Sequence, residues 1–252
     1  MLRSEGVRVW GTARDPARLA AGDGLFPVAL DLADPASIER AYGAVEAAAG
    51  ELGLVINNAG YGLFGPFAER DFGAWQRQLD AMLTGTLQLS HRALRGLLAR
   101  GHGALVNVSS LAAEFPLPFM SAYNVAKAGL SAFSESLMIE VAGTDVIVID
   151  FRPGDYRTGF NHTMLTRAES LPVADSPAGL RLRRVRDVLD SHLQAAPPPE
   201  RAAADLRRAL RRGRSGTVRS GSWRQARLAP LLARVAPGSW RRAVAARYFA
   251  ST

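Results

Sequence analysis

Lysine occurs once in this chain, at Lys127, against thirty arginines. Arginine therefore serves wherever a positive charge is enough, and one position has kept an amine. A lysine ammonium is a compact point charge whose pKa shifts readily, whereas a guanidinium stays protonated. Tyr123 stands four residues earlier, in Tyr123-Asn124-Val125-Ala126-Lys127. On a helix that spacing stacks the two side chains on one face, one turn apart. A phenol beside a tunable ammonium is an acid–base pair, and we read Tyr123 and Lys127 as working together. The plain alternative is a pair that a helix brings together for no purpose.

The flanking sequence supplies the frame. Strands are expected at 7–12, 25–30, 52–56, 104–108 and 146–151, the last read as a continuous apolar run. Helices are expected at 15–21, 34–49, 69–100 and 121–141. Asp15-Pro16 and Asp34-Pro35 open two of them, since aspartate caps a helix and proline suits its first turn. Short apolar strands alternating with helices imply a parallel sheet buried on both faces. Ligands in such sheets bind beyond the carboxyl ends of the strands. Arg14, Asp31, Asn57, Ser110 and Pro153 all stand at such ends. The length fits one domain over 1–252. Residues 155–200, irregular and carrying Pro172, Pro177 and Pro197-Pro198-Pro199, read as an insertion forming a lid or substrate wall. Beyond it, a helix is expected at 200–212, a last strand at 216–219 and a further helix at 223–249.

Ser110 precedes Tyr123 by thirteen residues. With Asn57-Asn58-Ala59-Gly60 and the run Pro153-Gly154-Asp155-Tyr156-Arg157-Thr158, the constellation resembles the short-chain dehydrogenase/reductase family, well over residues 7–160 and loosely beyond. The resemblance implies a Rossmann-like, doubly wound parallel sheet in a three-layer αβα arrangement, and hydride transfer between a nicotinamide cofactor and a carbonyl or alcohol. It makes Tyr123 the acid/base, Lys127 its activator and a holder of the nicotinamide ribose, and Ser110 the group that polarises the substrate oxygen. A free phenol has a pKa near 10. An ammonium at about 4 Å, with an effective dielectric near 20, favours the phenolate by about 4 kcal/mol, or at most about three pKa units.

For the cofactor, an acidic residue after the first strand would accept the ribose 2′-hydroxyl of NAD. Here Ala13-Arg14 stands in that place, and a guanidinium suits a 2′-phosphate, so NADP(H) is favoured over NAD(H). By resemblance Asp31 meets the adenine, although it could equally cap a turn. Asn57, Asn58, Ala59 and Gly60 form the turn beneath the cofactor. Pro153, Gly154 and Thr158 belong to the loop that holds the nicotinamide amide.

Two departures qualify the resemblance. The family opens on a strand and a glycine-rich turn that bind the pyrophosphate, and no such segment precedes Val7 here. Roughly 20–30 residues of a βα unit are lacking, so the first strand is expected to be missing from mid-sheet, leaving two neighbours unpaired. We expect a shortened sequence, the other reading being a remnant with impaired cofactor binding. Second, Met82 stands where the family usually has an asparagine associated with a water relay to the lysine. A thioether is a poor hydrogen-bond partner.

Phe64, Phe115, Pro116, Leu117, Phe119, Met120, Phe160 and Met164 flank the expected site, which points to a bulky apolar ketone or alcohol. Histidines at 91, 102, 162 and 192 show no ligand spacing, so no metal is expected. The chain lacks cysteine and any long uncharged apolar run, which points to a cytoplasmic protein with no transmembrane segment. Residues 201–252 carry thirteen arginines and one acid. An apolar stripe through Leu228, Leu231, Leu232, Val235, Trp240, Val244 and Phe249 makes this basic segment the solvated face of a docked helix, and no nucleic-acid-binding pattern is visible. A homo-oligomer is compatible with the resemblance. The alternative to an enzyme is a protein of the same fold with little or no redox activity, serving as a binding or scaffold subunit.

Overall fold

Aspartate caps open the turn at Pro16 and the helices at Pro35 and Phe72. The computed structural model describes residues 5–19, 22, 24–160, 164, 177–223, 226, 238–240 and 243. The expected helix at 223–249 and most of 161–176 lie outside the described residues.

Strands β1 (Val9–Ala13) and β2 (Leu25–Ala29) pair in parallel as a two-stranded sheet. Strands β3 (Leu54–Asn57), β4 (His102–Val108), β5 (Asp145–Pro153) and β6 (Gly216–Ser220) form a second, wholly parallel sheet in that order. Among the described residues, no strand pairs with β1 on the side away from β2, or with β3 on the side away from β4. The consequence is visible in the burial. Leu105, Val106, Val148 and Ile149 of β4 and β5 are fully buried, whereas Leu54, Val55 and Ile56 of β3 are only half-buried. The break falls where the missing strand is expected.

Helices flank both faces of the four-stranded sheet. On one face lie α1 (Pro35–Ala49), α3 (Gly85–Arg100) and α4 (Ser121–Glu140), whose Tyr42, Ala93, Leu97 and Leu137 pack with Leu105 and Val148. The opposite face takes α6 (Pro199–Arg211), with Leu206, Ala209 and Leu210 against Val106, Ile149 and Phe151. Helix α1 also carries β2, through Ile38 and Ala41 packed on Val28 and Leu30. The two sheets are joined closely here. A Cβ on Gly85 would come within 1.8 Å of the Leu32 carbonyl oxygen, so only glycine fits at the head of α3. Among the described residues, no helix is long and apolar enough to cross a membrane.

Three elements differ from the sequence reading. The helix expected at 15–21 is a single 3-10 turn, Pro16–Arg18, capped by Asp15. The long helix at 69–100 starts instead at α2 (Phe72–Leu79), where Asp71 accepts from the Ala74 N–H, and is interrupted by a π-helical turn, Asp80–Thr84, before α3. The segment read as irregular contains α5 (Pro177–Gln194). Its apolar spacing, Leu182, Val185, Leu189 and Leu193, is masked in the sequence by interleaved arginines.

Candidate active site

Ser110 stands two residues past the end of β4. Its hydroxyl caps the 3-10 turn Leu111–Ala113 by accepting from the Ala112 N–H at 3.0 Å, and lies 3.5 Å from the Pro153 carbonyl oxygen. Tyr123 and Lys127 occupy the first two turns of α4, as their spacing predicts. All three are buried, with 9 %, 9 % and 5 % exposure for Ser110, Tyr123 and Lys127. The Lys127 Nζ donates to the Val108 carbonyl at 2.7 Å and sits 5.8 Å from the centre of the Tyr123 ring. The Ser110 hydroxyl is near enough to the Tyr123 phenol to favour its ionised form.

Burial dominates the electrostatics. It pushes the Tyr123 phenol up, the Ser110 hydrogen bond pulls it back, and Asp155 pushes it further up. This corrects the expectation that Lys127 draws the phenol down. The ammonium donates to Val108, and burial outweighs what favours the phenolate. Lys127 itself is brought down from 10.5 to about 8 by burial, against an opposing pull from Asp150.

Gly60 meets the same cluster. A Cβ there would lie 3.2 Å from Met82 Cε and 3.8 Å from Lys127 Nζ. Met82 belongs to the π turn and is 1 % exposed. Such turns re-aim side chains within a helix and recur at functional sites. Around this core lie Phe64, Met120 and Met164, with Leu117, Phe119 and Phe160 packed on them and α5 behind. Phe119 holds a left-handed backbone, φ 61°, and its carbonyl accepts from the Gly65 N–H at 2.9 Å. Phe115 is half-buried and Pro116 exposed.

The remaining predicted positions are more dispersed. Asn57 is buried, and its amide donates to Ser90 and to Asn107, both at 2.8 Å, while its own Oδ1 has no partner. Its side chain thus crosslinks β3 to α3 and β4, and the exposed backbone belongs to Asn58, Ala59 and Gly60. Asp31 accepts from the Ala33 N–H at 2.9 Å, the turn-capping role. Arg14 is exposed just past the end of β1. Pro153 and Gly154 are half-buried, the Gly154 N–H donating to the Ser220 carbonyl at 2.7 Å, and Thr158 is exposed. The structure therefore gathers Ser110, Tyr123, Lys127, Gly60 and Pro153 into one place. Arg14 and Asp31 stand at the ends of the other sheet.

Two residues escaped the sequence reading. Asp150 interrupts the apolar run expected at 146–151 and Arg152 follows it; both are buried, and Asp150 accepts from Ser109, the neighbour of Ser110. The signal was present as two charges of opposite sign within one strand.

The profile of the family described as short chain dehydrogenase matches residues 2–169, and the chain belongs to that family. Among curated relatives, a probable NADP-dependent dehydrogenase of Haemophilus influenzae is 30 % identical over 159 residues, covering 61 % of this chain and 63 % of the relative. Serine 3-dehydrogenase of Agrobacterium fabrum is 33 % identical over 162 residues, covering 62 % and 65 %. The chain thus spans just under two thirds of the length of these relatives. Among solved structures, a short-chain dehydrogenase from Streptomyces avermitilis superposes with a TM-score of 0.77 at 26 % identity, covering 98 % of this chain and 89 % of that one.

Proposed function

We propose that the chain is an NADP(H)-dependent oxidoreductase that interconverts a ketone and a secondary alcohol on a bulky apolar substrate. The observation that carries this reading is the convergence of Ser110, Tyr123 and Lys127 in one buried cluster beside the carboxyl ends of β4 and β5. A nicotinamide bound here supplies or takes up the hydride at the substrate carbon. Tyr123, its phenol held protonated by burial, gives a proton to the developing alkoxide in reduction and takes it back in oxidation. Ser110 donates a hydrogen bond to the same oxygen. Lys127, poised at about 8, exchanges a proton near neutral pH and restores the phenol.

The residues fit the nicotinamide riboside end of such a cofactor. Val108 takes one of the three ammonium protons of Lys127, leaving donors for ribose hydroxyls. Gly60 keeps the space beside that ammonium clear of a side chain. The exposed Arg14, and the NADP-dependent name of the Haemophilus relative, favour a 2′-phosphate. The apolar cluster of Phe64, Met120, Leu117 and Phe160 supports the substrate class. The cysteine-free sequence suits a reducing compartment such as the cytoplasm.

Tyr123→Phe tests the assignment. It should lower turnover at least about a hundredfold with the fold retained, and retained activity refutes the role. A second reading, a binding subunit with little redox activity, draws on the broken sheet and on Met82 beside Lys127. Titration of NADPH fluorescence separates the two. Saturation at micromolar cofactor supports the enzyme, and no binding at millimolar supports the subunit.

A further inference from the structure

Strand β5 holds two buried ions, Asp150 at 0 % exposure and Arg152 at 6 %. A buried pair of this kind adds little stability over apolar residues of similar volume, because desolvation offsets the attraction. Its contacts give a better account of its presence. Asp150 Oδ1 accepts from the Ser109 hydroxyl. Its Oδ2 accepts from Ser131 Oγ and from Arg152 Nε, each at 2.7 Å. Arg152 also donates to Glu114, to Ser131 and, at 2.7 Å, to Glu135. Glu114 accepts in addition from Arg219 Nε of β6 at 2.8 Å.

Each anchor adjoins the candidate site in sequence. Ser109 precedes Ser110, and Glu114 ends the turn that Ser110 caps. Ser131 and Glu135 lie one and two turns beyond Lys127 on the same face of α4. Arg152 precedes Pro153-Gly154. One ion pair thus ties together β4, the 3-10 turn, α4, β5 and β6 at the points from which the site residues project.

We propose that Asp150 and Arg152 are positioning residues, a buried clamp that fixes Ser110, Lys127 and the Pro153-Gly154 turn relative to one another. Its catalytic meaning rests on the function proposed above; the electrostatic coupling does not. Lys127 meets Tyr123 on its own helix, the Val108 carbonyl from β4, and Gly60 beside Met82 of the π turn. Asp150 on β5 is the charge that supports its ammonium, and Asp155 acts on Tyr123.

The single lysine makes the test direct. In protein labelled with 13C at the lysine ε-carbon, one NMR signal reports Lys127, with a wild-type midpoint near about 8. Asp150→Asn should lower that midpoint by about one pH unit, and Arg152→Gln should raise it. Glu135→Gln should lower it by less, and since the Glu135 side chain is 59 % exposed this variant keeps the fold if Asp150→Asn does not. Opposite shifts for the acidic and basic members support the clamp. An unmoved midpoint, or shifts of one sign in all folded variants, overturns it. For the catalytic part, Glu135→Gln should move the pH profile of kcat with the KM for NADPH unchanged, and a uniform loss at every pH overturns the positioning role. If the wild-type chain turns nothing over, the proposed function fails while the titration still decides the coupling.

Discussion

Lys127→Met should make the protein more stable at neutral pH and less stable, relative to wild type, at high pH. The lysine is 5 % exposed and titrates at about 8 in the folded chain against 10.5 when solvated. Because the folded pKa is depressed, the unfolded chain binds the extra proton between those values. Wild-type folding therefore carries a penalty that is complete below about pH 8 and disappears by about pH 10.5. At about 1.4 kcal/mol per pH unit, the full penalty is about 3 kcal/mol. Methionine has similar length and no charge, so it escapes the penalty. It also leaves the Val108 carbonyl without its 2.7 Å partner, which costs about 1–2 kcal/mol. The net expectation is a gain of about 1–2 kcal/mol at pH 7 and a loss of similar size above pH 10. Urea unfolding of both proteins at pH 7 and pH 10 measures the difference, and other titrating groups cancel between them. A difference that does not change with pH means that Lys127 is not a desolvated ammonium, and the acid–base argument then loses its basis.

Three further outcomes are expected. Met82→Asn places an amide against Gly60 and Lys127 and should raise kcat several-fold, about 3–10-fold, despite roughly 1–2 kcal/mol of lost packing; a fall in kcat in the folded variant rejects Met82 as the break in proton supply. If Arg14 meets a 2′-phosphate as proposed, Arg14→Glu should weaken NADPH about 10–100-fold by fluorescence titration with NADH changed far less; equal losses for both refute that contact. Amides of β1 and β3 that point away from their single partner strands should exchange about 100-fold or more faster than those of β4 and β5; equal protection would show that the break in the sheet closes in solution.

That Ser110, Tyr123 and Lys127 come together was legible from one helical spacing and one strand end. A spacing of four on α4 fixes Tyr123 against Lys127, and the carboxyl end of β4 fixes Ser110. The unpaired sides of β1 and β3 lie where the order of elements calls for a further strand. What stayed hidden had weak local signals. The π turn at Asp80–Thr84 shifts a hydrogen-bond register and leaves no mark in composition. Helix α5 was obscured because arginines stand between its leucines, which lowers hydropathy without altering the buried face. The upward push of burial on Tyr123 was also invisible from spacing, since neighbouring positions on a helix do not say how deeply a phenol is buried.

The open edge of β3 and the cluster occupy different parts of the fold. Ser110 hangs from β4, Tyr123 and Lys127 from α4, and Pro153 from β5, all within the fully paired part of the four-stranded sheet. The Asp150–Arg152 pair ties these elements to one another and to β6, on the far side of β4 from the open edge of β3. At the open edge stand Asn57, with its buried Oδ1 lacking a partner, and across it β1 with Arg14 beyond its end. The proton-handling groups are thus braced independently of the region that would meet cofactor phosphates. The edge strand β3 is linked to α4 by the Asn57–Asn107–Ser134 chain of hydrogen bonds, and to Lys127 by Gly60.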